Sequence, residues 1–91
     1  MHIDYKVKGG KLLRIDIEIE KETIKDIRIA GDFFMYPEEF ILELEKTLIG
    51  MPLVRERIED KLRKAAKESN VKMIGISIED IVNAILRAQR G

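Results

Sequence analysis

Residues 3 to 7 alternate in character. Ile3, Tyr5 and Val7 fall on one side and Asp4 and Lys6 on the other, the period of a half-buried strand at 2–8. Gly9-Gly10 follows, a pair suited to a tight hairpin turn. The cleanest alternation comes next, over 11–20. Leu13, Ile15, Ile17 and Ile19 share one face; Arg14, Asp16, Glu18 and Glu20 share the other. After the polar link Lys21-Glu22-Thr23, Ile27 and Ile29 between Asp26, Arg28 and Ala30 mark a third strand over 24–30, which Gly31 stops. Links this short favour an antiparallel meander with one wet face.

The period then lengthens. Pro37 at a first helical position, with Glu38 and Glu39 at the positive end, opens a helix over 37–48. Phe40, Ile41, Leu44 and Leu48 form its apolar stripe, and Gly50 suits its C-terminal cap. Pro52 opens a second helix over 52–68, with Val54, Ile58, Leu62, Ala65 and Ala66 on one side; Ser69-Asn70 ends it. The third helix, over 78–89, has the best start signal. Ser77 can cap it, Ile76 can staple against Ile81, and Ile78, Ile81, Val82, Ile85 and Leu86 make its buried face. Strands followed by helices predict an α+β fold, a three-stranded antiparallel sheet with three helices packed on one face. Ninety-one residues make this one domain, 1–91.

Composition narrows the function. Seventeen Lys plus Arg balance seventeen Asp plus Glu, so the basic excess of a nucleic-acid binder is missing. There is no cysteine, which excludes disulfides, zinc–thiolate sites and thiol catalysis. No apolar run approaches the ~18 residues of a membrane span, and the start is a polar–apolar alternation instead of a signal peptide. The expectation is a cytoplasmic protein with neither a membrane nor a nucleic acid as partner. Charged residues at 37%, with few Asn and Gln, suit a protein working at high temperature.

Catalytic chemistry finds little here. The only histidine is His2, near a chain end where fraying is expected. Both serines, Ser69 and Ser77, are explained by helix ends. Asp16, Glu18 and Glu20 share a strand face and read as a solvated surface beside Lys and Arg. Gly9-Gly10-Lys11 lacks the length and the following helix of a phosphate loop. No catalytic residue, metal site or cofactor bound by this chain alone is expected.

One segment does not fit a lone domain. Phe33, Phe34, Met35 and Tyr36 are consecutive and large, and neither period can bury all four on one side. Some must remain at the surface, where aromatics and Met suit a partner interface. Leu42 and Ile49 add to this. They stand at about 200° and 180° on a helical wheel with Phe40 at zero, away from the apolar stripe. The expected partner-binding set is Phe33, Phe34, Met35, Tyr36, Leu42 and Ile49. A non-catalytic homo-oligomeric interaction module is the competing use of the same patch.

From about Lys8 to Gln89 the chain resembles the C-terminal accessory domain of lipoate–protein ligase. The likeness runs through Gly-Gly-Lys-Leu-Leu-Arg-Ile-Asp-Ile-Glu-Ile-Glu and Leu-Glu-Lys-Thr-Leu-Ile-Gly-Met-Pro. Gly31-Asp32-Phe33-Phe34 followed by Pro37 is its most specific piece. In this family the domain is fused behind the catalytic domain or, in many archaea, is a separate small subunit; a 91-residue chain starting at Met1 resembles the separate form. The resemblance implies an accessory subunit needed to make lipoyl-adenylate from lipoate and ATP. The catalytic subunit handles lipoate, ATP and Mg, and lipoyl-acceptor proteins are indirect partners. It assigns no catalytic residue to this piece.

Overall fold

The computed structural model describes residues 1–9 and 11–90. Strands β1 (His2–Lys6), β2 (Leu12–Glu20) and β3 (Thr23–Gly31) form an antiparallel sheet in the order β1-β2-β3. Ile3 faces Ile15, Tyr5 faces Leu13, Ile15 faces Ile29 and Ile17 faces Ile27. Those side chains turn to the core while Arg14, Asp16, Glu18 and Arg28 face water, as the alternation predicts. The predicted hairpin at Gly9-Gly10 is described only in part; Gly9 has a positive φ of 99°, and Gly10 lies outside the described residues. Gly31 is the last residue of β3, and only glycine fits there, since a Cβ would stand 2.3 Å from the Leu12 carbonyl oxygen.

Ile24 and Ile27 are both buried although three residues apart. A bulge resolves this. The register shifts between Glu18 and Ile19, so that Ile19 pairs with Ile24, Glu18 pairs with Asp26, and Lys25 is the extra residue.

Helices α1 (Phe40–Leu48), α2 (Arg55–Ser69) and α3 (Ile78–Leu86) cover the apolar face, and a 3-10 turn over Arg87–Arg90 continues α3. α1 lies against β3, α3 against β1 and β2, and α2 packs on both other helices through Ile58 and Leu62. The α3 start is a reciprocal capping box. Asp80 N donates to Ser77 Oγ at 3.2 Å and Ser77 N donates to Asp80 Oδ2 at 2.9 Å. Asn70 closes α2 in the left-handed region, its N–H reaching the Ala66 and Lys67 carbonyls.

Both prolines depart from expectation. Pro37 is not the first residue of α1; it sits in a bend, and Phe40 N donates to its carbonyl in a short turn before the helix starts at Phe40. The cause is Tyr36, which is held extended by pairing with Lys72, so the chain must turn before it can wind. Pro52 does not start α2 either. It bridges to Thr23, Leu53 N donates to the Glu22 carbonyl, and the helix begins at Arg55. The third helix stops its α geometry at Leu86, short of the expected 89.

The β3 edge of the sheet is partly occupied. Ile24 accepts from Gly50 N and donates to the Met51 carbonyl, and Ile29 N donates to Glu45 Oε2 of α1 at 2.8 Å. A helix side chain thus takes an edge group that a foreign strand could use.

Candidate partner-binding surface

Phe34–Tyr36 forms a short strand, β4, which pairs antiparallel with β5 (Lys72–Ile74). Phe34 faces Ile74, Met35 faces Met73 and Tyr36 faces Lys72. Strand geometry sends neighbours to opposite faces, and cross-strand partners share one. Met35 therefore points inward and is 5% exposed, with Met73 half-buried beside the core. Phe34, Tyr36 and Ile74 stand outward at 72%, 74% and 65% exposed. The ribbon presents two aromatics and an isoleucine on one face, with the Lys72 stem beside them.

Of the expected partner-binding residues, Phe34 and Tyr36 meet on this face. Met35 is corrected to a core residue, because alternation about an exposed Phe34 must bury its neighbour. Phe33 is half-buried and, with Phe34, Met35, Glu38 and Ile41, lines a cavity of about 240 Å³ beside the ribbon. Leu42 and Ile49 are exposed, on the side of α1 opposite Phe40 and Leu44. They are about 10 Å apart along the helix axis, and the Ile49 end lies beside Ile24 of β3. They form a second strip on α1. In the motif, Gly31 closes β3, Asp32 N donates to the Leu12 carbonyl at 2.9 Å, and Pro37 begins the turn into α1.

Sequence reasoning missed Ile74. Its signal was present: Val71-Lys72-Met73-Ile74 is a short stretch with three apolar residues of four between Asn70 and Gly75. A three-residue strand is too short to show a period, so only its pairing with β4 reveals which face Ile74 takes.

The polar side chains that the sequence offered for chemistry, Ser77 and His2, are engaged within the fold. Ser77 belongs to its capping box. His2 is not frayed: its Nδ1 is 2.8 Å from Asp16 Oδ1 and its Nε2 is 2.7 Å from Asp4 Oδ1. Hydrogen bonds to Asp16 and then Asp4 hold the ring above its ordinary pKa of 6.5. Among the described residues no three His, Asp or Glu side chains gather as a metal site, and no helix is long and apolar enough to cross a membrane. What the ribbon face can do is bury apolar area against another surface.

Comparison with known proteins gives consistent results. The family model described as bacterial lipoate protein ligase C-terminus matches residues 1–85. Lipoate-protein ligase A subunit 2 of Thermoplasma acidophilum is 37% identical over 89 residues, covering 93% of this chain and 90% of that relative. A solved chain from an archaeal lipoylation system of the same organism superposes with a TM-score of 0.79 at 36% identity, covering 92% of this chain and 91% of the other. That system comprises a bi-partite lipoate protein ligase and its E2 lipoyl domain.

Proposed function

The chain belongs to the lipoate protein ligase C-terminal family, and from this premise we propose that it is the accessory subunit of a bipartite lipoate–protein ligase. The observation that carries the reading is its near full-length similarity to a protein named as the second subunit of such a ligase. It is non-catalytic alone and works in the cytoplasm with a separate catalytic subunit. That subunit handles lipoate, ATP and Mg, and through it the pair serves lipoyl-acceptor proteins. The exposed face of Phe34, Tyr36 and Ile74 is the contact we assign to the catalytic subunit, with Leu42 and Ile49 as a second strip.

The step served is formation of lipoyl-adenylate. Adenylation joins a carboxylate to a polyphosphate, two anions that repel until charge is compensated and water excluded. A small subunit helps by holding the partner's loops closed, which shifts an existing equilibrium without touching the reactants. Transfer to the acceptor lysine starts from an activated mixed anhydride and needs an open path for a bulky acceptor domain. Stimulation therefore belongs mainly to the first reaction.

The test supplies the catalytic chain with lipoate plus ATP, or with synthetic lipoyl-adenylate, in the presence and absence of this protein. Strong stimulation of the first reaction and weak stimulation of the second is the expected result. Equal stimulation of both reduces the role to stabilising the partner's fold, and stimulation of neither removes the assignment. A chain that self-associates and ignores the catalytic subunit, read from its mass in solution, would instead be a homo-oligomeric module.

A further inference from the structure

Tyr5, Arg55, Asn83, Leu86 and Arg87 line an open cavity of about 250 Å³ where β1, the start of α2 and the end of α3 meet. Its polar groups are dominated by donors. Arg55 Nη2 donates to Asn83 Oδ1 at 2.8 Å, which engages that amide's oxygen and leaves its NH₂ as a donor. The Arg87 guanidinium stacks 4.7 Å from the centroid of the Tyr5 ring. No carboxylate lines the cavity, and among the described residues neither arginine has a carboxylate oxygen within 4.0 Å. In a chain with as many acids as bases, two arginines line one cavity without an acid among its lining residues. The α2 N-terminus lies at the Arg55 end of the cavity; its N-cap Val54 supplies no side-chain acceptor, and the acid of its first turn, Glu56, does not line the cavity.

We propose that this cavity binds a phosphate oxyanion. A carboxylate is planar and is satisfied by one guanidinium fork; donors arriving from separate elements suit a tetrahedral anion with oxygens in several directions. Tyr5 and Asn83 position the two forks in advance. Leu86 supplies an apolar wall. Both arginines are exposed, so binding weakens as salt rises. The proposal stands apart from the accessory-subunit reading and holds or fails without it.

The test follows backbone and arginine side-chain NMR shifts of the full chain during titration with inorganic phosphate, pyrophosphate or AMP. Chloride keeps the ionic strength constant. Saturable shifts centred on Arg55, Asn83 and Arg87 are expected. Arg55→Gln and Arg87→Gln should each weaken binding roughly tenfold, the loss of one charge-assisted hydrogen bond. Lys46→Gln, which removes the same charge on α1, should leave it unchanged. Tyr5→Leu should weaken binding while Tyr5→Phe, which keeps the ring, should not. Should Arg87→Gln melt early, Arg87→Lys tests the same point by keeping the charge and losing the fork. Tighter binding of AMP than of phosphate identifies a nucleotide source; equal binding identifies the free anion. Non-saturating shifts spread over surface lysines, binding retained in an Arg55→Gln, Arg87→Gln double variant, or acetate binding as tight as phosphate each overturn the proposal.

Discussion

Phe34 and Met35 are sequence neighbours with opposite exposure, and truncating each should give opposite phenotypes. Phe34 is 72% exposed. Of roughly 200 Å² on such a side chain, about 145 Å² faces solvent, and alanine would forfeit about 100 Å² of it in a buried contact. At about 25 cal/mol per Å² this is about 2.5 kcal/mol, or roughly a 60-fold loss of affinity for the catalytic subunit. The fold loses only a cross-strand contact with Ile74, about 0.2–1 kcal/mol. Met35 is 5% exposed in the core. Met35→Ala should cost about 2–5 kcal/mol of stability, a fall in Tm of roughly 10–25 °C for a domain of this size. Its effect on binding should vanish once the unfolded fraction is corrected for. Calorimetric titration with the catalytic chain beside thermal melts separates the two. A folded Phe34→Ala, Tyr36→Ala double variant that binds with unchanged affinity would falsify the ribbon-face assignment.

Three further outcomes test the fold. Ile17, 2% exposed between Ile27 and the helical layer, should cost about 2–5 kcal/mol on truncation to Ala, measured by urea unfolding. Lys21 and Glu22 both hold positive φ in the two-residue β2–β3 connection, so Lys21→Asn with Glu22→Gly should stabilise by about 1 kcal/mol, a gain of about 5 °C in Tm; an unchanged melt rejects strain there. His2 has a folded pKa raised above 6.5 by Asp16 and Asp4. Its contribution is fully present below pH 6.5, the unfolded value, and is lost as pH rises through the folded pKa. The difference between wild type and His2→Gln in denaturant midpoint should thus be full below pH 6.5 and fade as pH rises through the folded pKa, and salt should shrink it, because the His2 pairs are exposed.

The three-stranded sheet and its inward face were legible because the strands are long enough for a period of two to repeat. In β2 alone, Leu13, Ile15, Ile17 and Ile19 repeat it without a break. The α3 start was legible because Ser77 and Asp80 cap locally, within one turn. That the run from Phe33 to Tyr36 must leave large side chains at the surface was legible too, since no regular period hides four in a row. Tertiary structure decided the rest. Which of the four turns inward depends on a strand, Lys72–Ile74, that is 36 residues or more away from its partner in sequence for every pair. The same pairing holds Tyr36 extended and so moves the start of α1 from Pro37 to Phe40. Pro52 was drawn from a helix start to a bridge with Thr23 by a partner 29 residues distant. Local patterns record what neighbours along the chain require of one another; a short strand, a bridged proline and the outward face of Ile74 exist only because distant backbone groups need hydrogen-bond partners, and that need leaves no period to read.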